Sequence, residues 1–533
     1  MTRKTQWLND AILYEIYPQS FLDSNGDGIG DLPGAMSKLD YLQWLGINTI
    51  WFNPCFASPF FDAGYDVADY LTIAPRYGTN EDMEKFVEEA KRRDIRVLLD
   101  LVIGHTSVDH QWFVEEANIE GPHPLGDRFI WSENPNLHDT TGDTLGNVPW
   151  VLNTGKRGGY FFKNFFASQP ALNFGYARMR DDEPWRQPVT APGPRRNIES
   201  LKEILAFWFD RGVAGFRVDM AFSLVKDDEG LIETIKIWRE IREWMDEHYP
   251  ECVLLPEGVE PLGEGATSFD GDFFLVIGLE HGSLFDNGGA GKFPWREQPH
   301  PFFEAEGRGS TQFFTDSWKY FRSQRADRPI VLATADHDFS RMMCGSRTPE
   351  QYGAALTFLF TWGSIPSIYY GEEIGMRFLP DLPDHEGSVC HPGFYNRAGV
   401  RTPMQWDRSA NAGFSTAPAE KLYLPIDPDE DRPNVADAIA DENSPLHLIR
   451  KLIEIRKENP ALGTRGDAEV VHGSYPFVFK RGDKYVVILN PRREPVKLSL
   501  HLDVCCEHVN SGVSVSPEGI TAAAFSYAIV ELN

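Results

Sequence analysis

The chain has 533 residues, of which 42% are hydrophobic and 13% aromatic, and this length accommodates one large domain with one or two smaller ones. Its formal net charge of −28 excludes recognition of a nucleic-acid backbone or an anionic membrane surface, since both carry charge of the same sign. The six cysteines show no CxxC spacing, which predicts free thiols in a reducing compartment. The N-terminus has no apolar signal core and no run is long enough to span a bilayer, so we expect a cytoplasmic protein.

Short apolar runs recur along the chain and alternate with longer segments of helical spacing. The first such segment places Met36, Leu39, Leu42 and Leu45 on one face. Helices are also predicted near 81–93, 198–211, 231–248 and 445–457. Strands are predicted at 12–17, 49–52, 97–103, 215–218, 253–257, 273–277, 330–333 and 365–370. This alternation predicts a parallel sheet that is buried on both faces.

Two stretches depart from the alternation. Residues 105–173 are rich in Gly, Asn and Pro and are too long for an ordinary connection, which predicts an inserted subdomain. The main domain would then comprise 1–104 and 174–460. Near the C-terminus, 477–480 and 485–489 alternate in polarity around Arg-Gly-Asp at 481–483, which predicts a hairpin within an all-β domain at 461–533.

Polar residues follow several of the predicted strands. Arg217 and Asp219 are two residues apart, so they point the same way on a strand, and a cation beside a carboxylate favours the ionised form that a nucleophile requires. Taken alone, the pair also fits a structural ion pair. Similar endings at Asp100, Glu257 and 336–338 predict the active face of a barrel.

Seven segments together resemble glycoside hydrolase family 13, the α-amylase superfamily. They are GYDVADY at 64–70, Asp100 with His105, QPALN at 169–173, GFRVD at 215–219, Glu257, His337 with Asp338, and RTPMQWD at 401–407. The resemblance covers nearly the whole chain. It implies an α/β fold, a (β/α)8 TIM barrel with an inserted subdomain after strand 3 and a C-terminal all-β sandwich domain.

The resemblance also implies roles for individual residues. Asp219 would be the nucleophile that forms a covalent glycosyl-enzyme, and Glu257 the general acid and then base, with Glu260 as a rival acid. Asp338 would hold sugar hydroxyls. The remaining residues implied for the glucosyl unit are His105 and His337 as hydrogen-bond donors, Tyr65 as a stacking platform and Arg217 beside the nucleophile.

Asp62 and Arg401 stand where exo-acting α-glucosidases of this family close the pocket around the non-reducing end. A surface ion pair is the alternative. The implied activity is a retaining exo-acting α-glucosidase for short α-glucosides. Same-fold glucosyl transferases or isomerases of trehalose synthase-like or sucrose-directed type remain open, as does, less strongly, a disaccharide phosphorylase. A partner-binding ectodomain is disfavoured, because those relatives carry a membrane segment and lack the full catalytic set.

Residues 23–31 resemble the first part of an EF-hand calcium loop. Side-chain oxygens at Asp23, Asn25, Asp27 and Asp31 and the carbonyl of Ile29 would bind a structural Ca²⁺ ion, whereas position 12 is Gly34 and not glutamate. A metal-free cluster of Asx turns is the alternative. No organic cofactor is expected, and the oligomeric state stays open.

Three positions depart from the family pattern. Gly104 and Asp336 replace the asparagines that usually precede the two histidines, and Met220 follows the nucleophile. Some amylases have a calcium site between the barrel and the inserted domain, and Gly104 places that site in doubt for this chain. Asp336 could raise the proton affinity of His337 or face outward, and Met220 leaves the linkage preference undecided.

Overall fold

The computed structural model describes residues 4–120, 127–138, 147–258, 268–274, 279–285, 300–324, 328–345, 347–390 and 395–533. The strands are β1 (Leu13–Ile16), β2 (Thr49–Phe52), β3 (Phe56–Ala57), β4 (Asp69–Ile73), β5 (Arg96–Leu101), β6 (Trp131–Ser132), β7 (Trp150–Leu152), β8 (Tyr160–Phe162), β9 (Gly215–Val218), β10 (Val253–Pro256), β11 (Asp272–Phe273), β12 (Ile330–Ala333), β13 (Ile365–Tyr369), β14 (Ala468–His472), β15 (Phe477–Arg481), β16 (Tyr485–Asn490), β17 (Val496–Leu498), β18 (Val504–Ser516) and β19 (Gly519–Leu532). The α-helices are α1 (Leu32–Met36), α2 (Leu39–Leu45), α3 (Asn80–Lys91), α4 (Gln111–Asn118), α5 (Pro192–Phe209), α6 (Ile232–His248), α7 (Leu279–Phe285), α8 (Gln312–Gln324), α9 (Tyr352–Thr361), α10 (Val435–Ala440) and α11 (Pro445–Glu458).

Eight parallel strands form the predicted barrel. Their order is β10-β9-β5-β2-β1-β13-β12-β11, and the ring closes where the Asp270 amide donates to the Leu254 carbonyl at 3.0 Å. Most of these strands are buried along their whole length, as continuous apolar runs predict for a parallel sheet covered by helices. All eight carboxyl ends therefore open on one face, where polar residues can meet.

The helix predictions hold with shifted ends. α3, α5, α6 and α11 lie within a few residues of their predicted positions except at the start of α5, which begins at Pro192. The first predicted helix is divided into α1 and α2, with Lys38 between them in a non-helical conformation. Strand β11 begins one residue earlier than predicted, and the predicted continuation at 275–277 lies outside the described residues.

The segment after β5 carries α4 and a small antiparallel sheet of order β6-β8-β7. It meets the barrel beside Gly104, where a Cβ atom would lie 2.6 Å from Ser223 Oγ and 2.8 Å from Asn164 Nδ2. Lys226 Nζ donates to Asn164 Oδ1 at 2.8 Å and to the Ser223 carbonyl. A buried ammonium group thus joins the inserted segment to the barrel at the point where the missing asparagine side chain would stand.

The C-terminal part is an antiparallel sheet domain, as predicted. β15 and β16 form the expected hairpin with Phe477 opposite Leu489. One face of the sheet, including Phe477 and Phe479, packs on the barrel core, and the other, including Val478 and Val486, forms a separate apolar cluster. β18 pairs with β19, and its register shifts at three places.

Two further observations bear on the sequence predictions. All six cysteines are free thiols. No α-helix in the described ranges is long and apolar enough to cross a bilayer.

Candidate active site

The centre of the site is one guanidinium that contacts three carboxyl groups. Strand β9 lies between β5 and β10, and its register sets Arg217 opposite Asp100. Arg217 Nη1 lies 2.9 Å from Asp100 Oδ1 and 3.0 Å from Asp219 Oδ1, and Nη2 lies 2.7 Å from Glu257 Oε2. The Met220 amide also donates to Glu257 Oε2 at 3.1 Å. The predicted nucleophile and the predicted acid are thus neighbours on adjacent strand ends.

Burial governs the protonation of this cluster. It raises the pKa of Asp100 to about 6 and that of Asp219 above its ordinary value, and Arg217 opposes both shifts. Arg217 lowers the pKa of Asp219, as predicted, but it is shared with Asp100 and Glu257, so burial and these two carboxyl groups raise that pKa against it. Among these groups, Glu257 is the most accessible, with a side chain that is 25% exposed. Of the three carboxyl groups, Glu257 is therefore the one that a substrate can reach most directly.

Asp338 lies in the opposite electrostatic environment. Its Oδ1 accepts from Arg397 Nη1 and from Arg401 Nη2, both at 2.9 Å. Burial opposes ionisation, but the two arginines outweigh it and hold the pKa of Asp338 well below its ordinary value. Burial also lowers the pKa of His337 to about 3, so this imidazole is neutral at pH 7 and the arginines supply the charge. Asp338 is therefore a permanent carboxylate.

Asp62 is buried and belongs to the same chain of charges. Its Oδ1 accepts from Arg397 Nη2 at 2.9 Å, and its Oδ2 accepts from Gln169 Nε2 at 2.8 Å. The predicted pairing of Asp62 with Arg401 was thus wrong, since Arg397 stands between them and Arg401 binds Asp338 and the His337 carbonyl. The alternative of a surface ion pair is also excluded, because Asp62 is 3% exposed.

His337 is held from both sides. Its Nδ1 lies 2.7 Å from Glu15 Oε1, and its Nε2 lies 2.7 Å from the Tyr65 hydroxyl. The Tyr65 and His337 rings are stacked and nearly parallel, at an interplanar angle of 12° with centroids 5.4 Å apart. The Tyr65 hydroxyl also donates to Asp100 Oδ2 at 3.1 Å. A network of buried hydrogen bonds therefore connects the Arg217 cluster to Asp338.

His105 is also fully engaged by the protein. Its Nε2 lies 2.9 Å from the Tyr65 carbonyl, and its Nδ1 lies 3.2 Å from Asn164 Nδ2. Burial lowers the pKa of His105 to about 4, so the ring is neutral. Both predicted histidine donors have their ring nitrogens within hydrogen-bond range of protein groups. Donation to a sugar by either one requires exchange of one of these bonds.

Asp336 neither raises the proton affinity of His337 nor faces outward. Its Oδ1 accepts from the amides of Asp338 at 2.8 Å and Phe339 at 2.9 Å, so the side chain fixes the turn that presents Asp338. Burial, Asp338 and Glu257 raise the pKa of Asp336 to about 7, while Arg217 opposes the rise. The departure from asparagine thus adds a further titratable carboxyl group beside Asp338.

The loop at 23–31 is held by Asx turns. Asp23 Oδ2 accepts from the Gly28 amide at 2.8 Å, Asn25 Oδ1 from the Asp27 amide at 2.9 Å, and Asp27 Oδ1 from the Ile29 amide at 2.9 Å. Within the described ranges, no group of three or more Asp, Glu, His or Cys side chains is arranged as metal ligands. The donor set of carboxylate, amide and carbonyl oxygens nevertheless has the chemistry that Ca²⁺ prefers.

Two contributors were not assigned from sequence. Arg397 lies in the Pro- and Gly-containing loop at 376–400, and Glu15 follows Tyr14 in the first predicted strand. A carboxylate inside a buried strand was an available signal for Glu15, whereas Arg397 had none beyond its loop. The rival acid Glu260 lies outside the described residues.

In this eight-stranded parallel barrel, buried carboxyl groups gather at the strand ends. This arrangement is typical of one class of protein, the barrel glycoside hydrolases. The family model "Alpha amylase, catalytic domain" matches residues 15–465. The chain therefore belongs to the α-amylase family, glycoside hydrolase family 13, and is a glycoside hydrolase by family.

Individual relatives resemble the chain over almost its whole length. Glucan 1,6-alpha-glucosidase of Streptococcus pneumoniae is 32% identical over 537 residues, covering 93% of each protein. Trehalose synthase of Pimelobacter sp. is 31% identical over 93% of this chain and 89% of that protein. The crystal structure of isomaltulose synthase from Erwinia rhapontici superimposes with a TM-score of 0.81 at 26% identity, covering 99% of both chains.

Proposed function

We propose that the protein is a retaining, exo-acting α-glucosidase that hydrolyses short α-glucosides from their non-reducing end. The observation that carries the proposal is the sharing of Arg217 by Asp219 and Glu257, while Asp338 is held ionised by two other arginines. Carboxyl groups bridged by one guanidinium favour the short separation of about 5 Å that retaining enzymes use.

The chemistry follows from these positions. Asp219 Oδ attacks the anomeric carbon, the glycosidic C–O bond breaks, and Glu257 gives its proton to the departing oxygen. Water then attacks the anomeric carbon, Glu257 takes the water proton, and the ester to Asp219 breaks to regenerate the carboxylate. Asp338, a carboxylate throughout, accepts hydrogen bonds from sugar hydroxyls and stabilises positive charge on the ring.

The preference for chain ends is supported by the buried row Asp62, Arg397 and Asp338. The side chains of Asp62 and Arg397 are 8% exposed or less, and we infer that this row closes the end of the site through which a longer glucan would have to pass. This supports a pocket for a terminal glucosyl unit and disfavours a through-running groove.

Proton NMR of the purified protein with maltose, isomaltose, trehalose and sucrose tests the proposal. We expect free glucose, released first as the α-anomer, and the fastest of the four substrates names the linkage. Because the Streptococcus relative is named a 1,6-glucosidase, isomaltose is the first substrate to try. Release of β-glucose first would overturn the retaining mechanism, and no turnover of any α-glucoside would overturn the activity.

A second candidate function is transfer or isomerisation. The trehalose synthase and isomaltulose synthase relatives support it, because they resemble this chain about as closely as the glucosidase does. A new disaccharide in the same NMR experiment would establish an acceptor other than water. Glucose phosphate formed only in added phosphate would establish a phosphorylase.

We also propose that Asp23, Asn25, Asp27, Ile29 and Asp31 bind a structural Ca²⁺ ion, which would brace this loop. The proposal rests on the oxygen donor set, and the ion takes no part in the chemistry. Addition of a chelator should lower the melting temperature of the wild type, and Ca²⁺ should restore it. Asp27→Ala should abolish both effects, whereas a wild type that is indifferent to chelator and Ca²⁺ would favour the metal-free cluster of Asx turns.

We further propose a cytoplasmic location, which the six free thiols support. Cell fractionation tests it, and recovery of the activity outside the cell would contradict it.

A further inference from the structure

Glu15 is a buried carboxyl group that takes no direct part in the proposed hydrolysis. It lies on β1 and is 1% exposed. Its Oε1 lies 2.7 Å from His337 Nδ1 and 3.1 Å from Asn53 Nδ2. Within the described ranges, its ion-pair contact is with His337 alone, and neither an arginine nor a lysine touches it. An ionised carboxylate at this position would therefore be buried without a cation in contact, which is costly.

The surroundings of Glu15 favour its neutral form. Burial raises the pKa of Glu15 well above its ordinary value, and the carboxyl groups of Asp336 and Asp338 add to the rise. The Asn53 amide and the charge of Arg217 oppose the rise without cancelling it. The protonated form is thus favoured, and it has one O–H group to donate.

The neutral ring of His337 has one N–H group, and the neighbours of each nitrogen decide where it lies. Nε2 lies 2.7 Å from the Tyr65 hydroxyl and 3.3 Å from Asp338 Oδ2. The Asp338 carboxylate can only accept, and the Tyr65 hydroxyl donates its own hydrogen to Asp100 Oδ2. Both neighbours therefore call for a hydrogen on Nε2.

The neighbours of Nδ1 call for a lone pair. Asn53 Nδ2 lies 3.0 Å from Nδ1, and an amide nitrogen can only donate. Glu15 can donate to the same lone pair only when it is protonated. An ionised Glu15 would draw the hydrogen to Nδ1, where it would oppose the Asn53 amide, and would leave a nitrogen lone pair facing Asp338. A protonated Glu15 with the ring hydrogen on Nε2 satisfies all four neighbours of the ring.

We propose that Glu15 is a positioning residue that acts through His337. Its carboxylic acid donates to His337 Nδ1 and so fixes the N–H group on Nε2, which faces Asp338 Oδ2. A sugar hydroxyl that displaces Tyr65 from Nε2 accepts this hydrogen and donates its own to Asp338, so it is held in one orientation. This role rests on the proposed function, because it needs a glucosyl unit at Asp338. Glu15 itself does not touch the substrate.

Nitrogen-15 NMR of the histidine rings in the resting protein tests the tautomer without any substrate. A ring nitrogen with a hydrogen and one with a lone pair resonate in separate regions, and the signals lost in His337→Asn identify His337. We expect the hydrogen on Nε2 in the wild type and in Glu15→Gln, because the glutamine amide can also donate to Nδ1. A hydrogen on Nδ1 in the wild type would overturn the proposal.

Glu15→Met keeps a similar volume but has no hydrogen to donate. It should shift the Nδ1 signal and lower kcat/KM for the preferred glucoside by about tenfold, the effect of one lost hydrogen bond. Glu15→Gln should retain most of the wild-type value. The matched control is Glu116→Met, which removes a buried carboxyl group that accepts from Trp131 in the inserted segment and should leave the His337 signals unchanged.

The two proposals fail in different ways. Wild-type kcat/KM in Glu15→Met would show that Glu15 does not position the ring for the reaction. A wild type that turns over no α-glucoside would contradict the proposed function, whereas the position of the ring hydrogen still decides whether Glu15 donates to His337.

Discussion

At the scale of single residues, the ratio of arginines to carboxyl groups differs between the two parts of the site. Arg217 is shared by Asp100, Asp219 and Glu257, whereas Asp338 contacts two arginines, of which it shares only Arg397, with Asp62. Burial and neighbouring carboxyl groups raise the pKa values of Asp100 and Asp219 in the first arrangement, whereas the arginines lower the pKa of Asp338 in the second. The distribution of guanidinium groups thus helps to set the proton affinity in each part of the site.

Arg397→Ala should damage both stability and activity. The change leaves Asp62 buried without its cation and frees one side of Asp338, so we expect a loss of about 3–5 kcal/mol in the free energy of unfolding. We also expect kcat/KM for the preferred glucoside to fall by on the order of 100-fold or more, because Asp338 loses a fixed position. Urea unfolding and steady-state kinetics measure the two effects.

Arg408→Ala is the control for Arg397→Ala, since its ion pair with Asp437 is exposed and should contribute little. A lysine at position 397 should retain an intermediate activity, because it can replace the charge but not the two-sided geometry. Unchanged kinetics of Arg397→Ala would show that the arginine does not position Asp338.

Asp336→Asn should alter the pH dependence of stability. The folded pKa of Asp336 is about 7, against about 3.9 in an unfolded chain, so the folded state binds the proton more tightly. The stabilisation from that proton is present below about pH 4 and is lost as the pH rises through 7. Asparagine is neutral at every pH and can still accept from the Asp338 and Phe339 amides. The variant should therefore gain on the wild type as the pH rises.

Denaturant unfolding of wild type and Asp336→Asn at pH 5 and pH 8 measures this gain. We expect the difference between the two proteins to shift in favour of the variant by about 2–3 kcal/mol over that interval. The exposed Asp181→Asn should follow the wild type at both pH values. A difference that is the same at both values would exclude a raised pKa for Asp336.

Much of this residue-scale picture was predictable from sequence, because alternation along β9 places Arg217 and Asp219 on one side and the neighbouring strand ends bring in Asp100 and Glu257. The partner of Asp62 was not predictable. Arg397 reaches it from 335 residues away along the chain, and no local pattern encodes such a contact. The raised pKa of Asp219 also required the structure, since it depends on burial and then on the other carboxyl groups that share Arg217.

At the scale of elements, the junction between β5 and the inserted segment depends on the absence of a side chain. Gly104 allows Asn164 to reach His105, and Lys226 binds the other end of the same amide. Burial lowers the pKa of Lys226 to about 7, as expected for an ammonium group whose partners are neutral. The departure from the family asparagine is therefore matched by a rearranged polar contact.

Gly104→Ala should strain this junction. The added methyl group would meet Ser223 Oγ and Asn164 Nδ2 at distances that non-bonded atoms do not tolerate, so we expect a loss of about 1–3 kcal/mol in the free energy of unfolding. Gly473→Ala is the matched control, since its Cβ would meet nothing closer than 3.8 Å. Equal stability of the two variants in urea would show that the junction relaxes without cost.

The spacing of hydrophobic residues predicted the positions of helices and strands well, but it predicted their first and last residues less well. The strands of the barrel were predictable because each is a short apolar run buried on both faces. The division between α1 and α2 was not, since Met36 and Leu39 continue the apolar spacing across a residue whose backbone is not helical. Side-chain periodicity does not report such a backbone break.

At the scale of the whole molecule, the barrel and the C-terminal sheet are connected by buried charge as well as by apolar contacts. Arg481 lies on β15, is fully buried, and donates to the Trp362 carbonyl of the barrel and to the carbonyls of Ala461 and Gly463. Phe477 and Phe479 on the same strand pack against Trp362. Strand β15 thus carries much of the contact between the two parts.

Arg481→Ala should weaken that contact. The truncation leaves three carbonyls without their donor and a cavity in their midst, so we expect a loss of about 2–4 kcal/mol in the free energy of unfolding. Limited proteolysis should then cut more readily between the barrel and β14. The exposed Arg493→Ala is the control and should resist the protease as the wild type does. If Arg481→Ala is as stable as the wild type, the apolar residues alone maintain the contact between the barrel and the C-terminal sheet.

The buried row of Asp62, Arg397 and Asp338 determines how substrate enters and product leaves the proposed pocket. A cavity with a single mouth lets glucose leave only by the way the glucoside entered. The shortened chain must therefore depart before the product can, and each catalytic event ends in complete dissociation. Digestion is then distributive: all chains in a mixture shorten together by one unit at a time, and no chain is consumed to its end while its neighbours remain intact.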